Sequence, residues 1–349
     1  MGSSRTCIEE RDRVFRRQAV KVLLDARMRE GGVGRYAEDL VAGFETTGTD
    51  LVLHVVRGTW GRTFTPWGRS ALARRAHREN VDLIHGLHFE LPESGAIPGV
   101  VTMPDAIPLD HPAAMPSPNR RAYFKSIVVR SAARANAIVT VSKLSADSLA
   151  QHGVPLAKVK IVPLGVGPIF TPGDGSLVQE ARNRFAEGER YVAAVADDKP
   201  HKNIDLLSAI ASDLPSGVRL LCRGHTARPV TDVSFLPQLS DSDLRLFYVG
   251  ADALVMPSFV EGFGLPALEA AACGIPVVCG DAVGVCEFLD GATVVDVHNP
   301  KSVVDAVGNL LNDEAERSDR GRLLRAAAQT MTVEAMSRAT AAIYRAVLS

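Results

Sequence analysis

Short apolar runs of strand length alternate along this chain with longer stretches whose apolar residues return at the helical interval, and that alternation limits its fold more than any other feature. AVKVLLDA (19–26) reads as a buried strand, followed by a glycine turn and YAEDLVAGF with the spacing of an amphipathic helix. LVLHVV (51–56), VDLIHGL (81–87), GVVTMPD (99–105) and AIVTVS (137–142) read as further strands, with helical stretches such as RRAYFKSIVVRSAARA and KLSADSLAQHG between or after them. The series thins at VPLGVGPIFTPGDGSL (162–177), rich in Gly and Pro. It then restarts with RYVAAVA (190–196), VRLLCRG (218–224), ADALVMPS (251–258), IPVVCG (275–280) and ATVVDV (292–297). From Lys301 onward the pattern is helical.

Strands interleaved with helices build a parallel sheet covered on both faces, so the expected class is α/β. At 349 residues the chain exceeds one ordinary core. The expectation is two Rossmann-like doubly wound domains facing across a cleft. Residues 1–18 read as a tail, 19–168 as a first domain, 169–189 as a linker and 190–330 as a second domain. Residues 331–349 read as a final helix packing back on the first domain. Ligands bind such sheets outside the carboxyl ends of the strands.

A formal net charge of −1 supplies no global field for nucleic acid or an acidic membrane, so no nucleic-acid partner is expected. The basic runs RDRVFRR (11–17) and GRSALARRAHR (68–78) read as solvated helix faces, and membrane-surface contact is not favoured. Five cysteines, odd in number and without metal-ligand spacing, fit buried or free thiols in a reducing compartment, hence a cytoplasmic location. No apolar run is long enough to span a bilayer, and the polar first residues do not read as a secretory signal.

The chemistry concentrates in PSFVEGFGLPALEAAACGIPVV (257–278). A strand ends at Pro257-Ser258, and Pro266 suits the first position of a helix that Gly274 and Pro276 stop. That helix has about two turns, roughly 12 Å. Its N-terminus carries unpaired amides and partial positive charge, and Gly262-Phe263-Gly264 lets a ligand approach closely. A phosphate suits that place. Glu261 and Glu269 would repel phosphate oxygens but would accept hydrogen bonds from hydroxyls on either side. Hydroxyls flanking a diphosphate describe a nucleotide sugar. Read singly, either acid fits a solvated surface position as well.

This string resembles the Glu-x7-Glu motif of retaining GT-B glycosyltransferases of glycosyltransferase family 4 (group 1). LLDARMREGGVGRY (23–36) is similar to the family's first strand and glycine loop, and VADDKPHKNIDLL (195–207) to its phosphate segment. VTVSKLSADSL and VKIVPLGVGPIF match the end of the first domain, so the likeness runs from about residue 19 to 345. It implies that Glu269 holds the ribose hydroxyls and Glu261 a donor-sugar hydroxyl, with the amides of Phe263, Gly264 and Leu265 along the sugar and diphosphate. Lys202 would pair with the diphosphate, His201 stands where many relatives carry arginine, and Gly32 in the Gly31–Gly34 turn offers amides from across the cleft. Arg35 reaches the phosphate or the acceptor, or simply faces water. No metal and no cofactor are expected, because cationic side chains and helix amides stand in for a metal.

The likeness has gaps on the acceptor side. Where the family often has Thr-x-His-Asp, this chain has Thr102-Met103-Pro104-Asp105; Asp105 remains as a catalytic candidate with Glu261 and Lys202. His85 and His88 match a region bordering the acceptor pocket and are acceptor candidates, with packing as the alternative. Trp60 and Trp67 could stack on an acceptor or pack in a loop. Ala196 replaces a glycine, Asp197-Asp198 bring acid to a diphosphate site, and Cys286 replaces a proline while Glu287 stays in register.

The implied reaction is transfer of a glycosyl group, with retention, from a UDP- or GDP-linked sugar to an acceptor hydroxyl. The departing phosphate would take the acceptor's proton. A small secondary metabolite such as an aminoglycoside is the favoured acceptor, which would place the chain in antibiotic biosynthesis. A polysaccharide or lipid-linked saccharide is the alternative. A nucleotide-sugar epimerase and a non-catalytic nucleotide-sugar binder are the competing readings.

Overall fold

A computed structural model of the chain describes residues 19–29, 31–58 and 63–349. The tail expected over 1–18, with Cys7, and the candidate Trp60 lie outside the described residues. The chain forms two six-stranded sheets, all parallel, in which helices cover both faces. This is the doubly wound α/β pair expected of a GT-B fold.

The first sheet holds β1 (Val20–Asp25), β2 (Leu51–Val56), β3 (Leu83–Gly86), β4 (Gly99–Thr102), β5 (Ala137–Thr140) and β6 (Val159–Ile161) in the order β2-β1-β3-β4-β5-β6. Its helices are α1 (Gly31–Thr46), α2 (Pro66–Glu79), α3 (Ile107–Asp110), α4 (Pro118–Arg134) and α5 (Lys143–Gln151). Apolar strands such as Val22-Leu23-Leu24 lose all solvent contact because a packed cluster lies on each side of the sheet. The helices start where short polar side chains satisfy first-turn amides: Thr65 accepts from the Gly68 amide, Ser117 from Arg120 and Ser142 from Ser145.

The second sheet holds β7 (Arg190–Val195), β8 (Val218–Arg223), β9 (Val233–Leu236), β10 (Ala253–Met256), β11 (Val277–Gly280) and β12 (Thr293–Val295), ordered β12-β11-β10-β7-β8-β9. Its helices are α6 (Gly175–Ala186), α7 (Leu206–Ser212), α8 (Asp241–Val249), α9 (Leu265–Ala272), α10 (Pro300–Asn312) and α11 (Glu314–Ala328). The last helix, α12 (Val333–Leu348), leaves this lobe and packs on α1 of the first. Gly43 makes that approach possible, since a Cβ there would stand 2.1 Å from Ser337 Oγ. The Tyr344 hydroxyl ends 2.6 Å from His85 Nδ1.

Strand order reverses between β1 and β3 in the first sheet and between β7 and β10 in the second, and these are the places where open α/β sheets leave a crevice. Two strands escaped the sequence reading, β6 and β9. Both are edge strands of three or four residues with no fully buried member, so neither shows a continuous apolar run.

Of the cysteines expected to be buried or free thiols, Cys222 and Cys273 are buried and free, while Cys279 of β11 and Cys286 are brought near one another by the turn between them, their Cα atoms 7.8 Å apart.

Candidate functional site

The loops after β7 and β10 meet at the second sheet's reversal point. The Phe259 amide donates to the His201 carbonyl at 2.8 Å, tying the loop after β10 to the short 3-10 turn Pro200–Lys202. This tie sets Lys202 Nζ 2.6 Å from Glu261 Oε1, the oxygen to which the Ser258 hydroxyl also donates at 2.6 Å. His201 is half-buried, and burial together with the Lys202 charge lowers its pKa, so the ring stays neutral.

Asp105, in the loop after β4, closes on this pair from the first lobe. A Cβ on Gly262 would stand 2.8 Å from Asp105 Cβ, so glycine is required there by the closeness of the two lobes. Burial and the nearby Glu261 and Asp110 carboxylates push Asp105 up to about 6, against the Ile107 amide and Lys202, which favour its ionised form.

Gly264 stands at the N-cap of α9 with φ +100°, a conformation that favours glycine, and no side chain caps the helix. Pro266 occupies the second helical position, not the first as its chemistry suggested. Phe263 is buried beside Phe288, while Leu265 is half-buried. Glu269 points inward, only 5% exposed, and accepts from the Tyr248 hydroxyl at 2.9 Å. Burial raises its pKa to about 7, against the Tyr248 hydrogen bond and the Arg35 and Arg223 charges.

Across the cleft, Gly31 and Gly32 open α1, and a Cβ on Gly32 would meet nothing within 4 Å. Gly34 has the opposite setting: a Cβ there would lie 2.2 Å from the Arg29 carbonyl oxygen. Arg35 neither faces bulk water nor stands free. It pairs with Asp39 on its own helix and, at 2.7 Å, with Asp241 of α8 in the other lobe. The acids Asp197 and Asp198 are taken up locally. Asp197 pairs with Lys199, and Asp198 accepts from the Thr226 hydroxyl and the Ala227 amide.

The histidines do not line the cleft. His85 is fully buried, both ring nitrogens engaged by Tyr344 and Thr102, and burial lowers its pKa to about 3. The acceptor reading of His85 therefore gives way to packing between β3 and α12. His88 is equally buried, its Nε2 3.4 Å from Asp25 Oδ2, and this too removes it from acceptor contact. Trp67, on α2, is 69% exposed.

Around His88 the structure assembles charges that sequence reasoning missed. Arg27 grips both oxygens of Asp25 at 2.6 and 2.7 Å and reaches Glu90; Arg69 pairs with Glu90 at 2.9 Å. Asp25, His88 and Glu90 bring ligand atoms within 4.8 Å of one another, a spacing that a cation could use, but the two guanidiniums already neutralise the carboxylates. Tyr248 and Ser258 were also missed, and so was the contact that Glu287, noted as in register with a family motif, makes with the first lobe. Among the described residues no helix is long and apolar enough to cross a membrane.

Two family profiles match the chain: Glycosyltransferase Family 4 over residues 30–168 and Glycosyl transferases group 1 over 178–327. A D-inositol 3-phosphate glycosyltransferase of Paenarthrobacter aurescens is 31% identical over 258 residues, 67% of this chain and 62% of that protein. One from Pseudarthrobacter chlorophenolicus is 30% identical, with 72% and 67% covered. The match to the Mycobacterium tuberculosis protein of that name is 34% identical and takes in 66% of this chain but only 52% of the relative. Among solved structures, sucrose-phosphate synthase from Thermosynechococcus elongatus superposes with a TM-score of 0.79 at 18% identity, covering 94% of this chain and 99% of that one. Anabaena HepE in complex with UDP and glucose superposes at 0.73 with 16% identity, covering 94% and 100%.

Proposed function

The chain belongs to the group 1 glycosyltransferases of family 4, and from that membership we propose that it moves a sugar from a uridine or guanosine diphosphate sugar to a hydroxyl of a small polyhydroxylated ring, with retention and without a metal. One observation carries the donor half: a lysine and a glutamate paired at the second sheet's reversal point, beside an uncapped helix start and a buried second glutamate. Each member of the pair stands in for a substrate group. On donor binding the diphosphate takes Lys202, and Glu261 turns to a sugar hydroxyl. Glu269 then accepts from the ribose hydroxyls. The lysine and the helix amides stabilise the charge that grows on the leaving diphosphate. Asp105 faces the same point from the acceptor side, and lobe closure excludes water.

The acceptor class rests on chemistry that two readings share. Inositol phosphate, named for the relatives, is a cyclitol; aminoglycosides are built on amino-cyclitols. Thermal shift with UDP, GDP, ADP and dTDP tests the donor half, because a ligand that binds only the fold raises its melting temperature. We expect UDP or GDP to do so, unchanged by EDTA. Incubation of the matching sugar nucleotide with inositol phosphate and aminocyclitols then reads transfer and anomeric configuration. No shift with any nucleotide refutes the reading, and free epimerised sugar nucleotide without acceptor replaces transfer by isomerisation.

A further inference from the structure

Glu287 lies on the turn Gly284–Glu287 of the second lobe, yet its carboxylate sits on the first. Its Oε2 accepts from the Lys143 amide and its Oε1 from the Leu144 amide, both at 2.7 Å. These are the first two amides of α5, which the helix itself leaves unpaired. The Ser142 hydroxyl accepts the third, from Ser145, at 3.0 Å. The Ser142 and Ser145 hydroxyls then donate across the gap to the Gly262 carbonyl, at 2.8 and 3.1 Å.

The turn that carries Glu287 is also the backing of the donor loop. The Glu261 amide donates to the Ala282 carbonyl, Gly284 to Glu261 and Val285 to Phe263. There is no slack in this join. A Cβ on Gly284 would stand 2.2 Å from the Gly262 carbonyl oxygen and 2.7 Å from Ser142 Oγ. Glu287 is an exposed residue, so its carboxylate can be rehydrated at little cost when the lobes part.

We propose that Glu287 is a positioning residue, an interlobe latch: by capping α5 of the first lobe it fixes the Glu261–Gly264 loop, so that closing the cleft and aligning the donor loop are a single event. The kinetic arm of this inference rests on the glycosyl-transfer reading; its structural arm does not.

The test uses the full chain. Glu287→Ala should speed hydrogen exchange at the Lys143 and Leu144 amides and also at the amides of the Glu261–Gly264 loop. Exchange confined to Lys143 and Leu144 would mean a local cap and overturns the latch. Lys143→Pro removes one donor while suiting the helix's first position, and Ser142 already has the extended backbone that precedes a proline. Lys143→Ala keeps the amide and should behave as wild type. Turnover of the sugar nucleotide should fall roughly three- to thirtyfold in kcat for Glu287→Ala. The dissociation constant for the nucleoside diphosphate should change less than threefold, and Glu287→Gln should recover only part of the loss, because its amide oxygen can accept from one of the two N–H groups and its NH2 from neither. The Ala and Pro variants together should lose no more than the worse one alone. Additive losses, or equal loss of binding and kcat, overturn the proposal. If no sugar nucleotide is turned over at all, the transfer reading fails, and the exchange data still decide the latch.

Discussion

The two sheets reverse their strand order at equivalent places, yet the two crevices are filled in opposite ways. At the ends of β1 and β3, Asp25, Arg27 and Glu90 have side chains no more than 1% exposed, and with Arg69 they form a closed charge set. At the ends of β7 and β10, Lys202 and Glu261 are 20% and 12% exposed, paired with one another. Buried Glu269 there accepts from the Tyr248 hydroxyl and makes no ion pair among the described residues. A reversal point is therefore only a place. Whether it can take a ligand depends on whether its charges are permanently spent on each other.

The largest effect that can break this contrast is in the sealed crevice. Glu90→Ala leaves Arg27 and Arg69 without that carboxylate and should cost about 3–5 kcal/mol of stability. Nucleoside diphosphate affinity of the folded protein should hold. Denaturant melts with nucleotide titration check both; a benign Glu90→Ala would show that the cluster is not spent on structure.

In the open crevice the same kind of deletion should act on chemistry. Lys202→Ala leaves Glu261 partly exposed and still bonded to Ser258, so stability should change little. Turnover of the sugar nucleotide should fall on the order of 10²–10³-fold, the usual loss when a donor to developing charge is removed. Equal stability losses in Glu90→Ala and Lys202→Ala would erase the distinction between the crevices.

Glu269→Gln sharpens it further. The folded protein raises this carboxyl from its ordinary value to about 7, so between about 4.5 and 7 the native state holds a proton that the unfolded chain has lost. Wild-type stability therefore declines as pH rises through that window. The glutamine variant should match wild type below it and exceed it above, by on the order of 2–3 kcal/mol. Nucleotide affinity should drop in the same variant, and in wild type it should weaken as pH falls below 7, where the carboxylate that accepts ribose hydroxyls is lost. A site kept for binding at the expense of stability would show both signs at once.

How much of this could be read from the chain alone follows the distance over which partners lie. The α/β class was plain because strand and helix periods are local, and Glu261, Glu269 and Lys202 stood out because short strings carry them. The edge strands β6 and β9 were not plain, since half-exposed segments have no period to show. The histidines misled for a different reason. His85 is satisfied by Tyr344, 259 residues later, and no local pattern distinguishes a ring held that way from one at a cleft. The Arg27–Glu90 pairing spans 63 residues and was invisible for the same cause.

The smallest effect concerns Asp105, a first-lobe acid that faces the open crevice. Burial and the Glu261 carboxylate raise Asp105 to about 6, so from about pH 4 to 6 the folded state again holds the extra proton and stability declines as pH rises. Because Asp105 is partly solvated and its charge partly screened, the decline should amount to about 1 kcal/mol. Asp105→Asn should flatten it, and Glu261→Gln should reduce it, because the second charge that raises Asp105 is then gone. Melting temperatures at pH 4, 5, 6 and 7 read the slope. If Glu261→Gln left it untouched, the lobes would not meet at this point in solution. Asp105 would then belong with the first lobe's sealed charges rather than with the cleft.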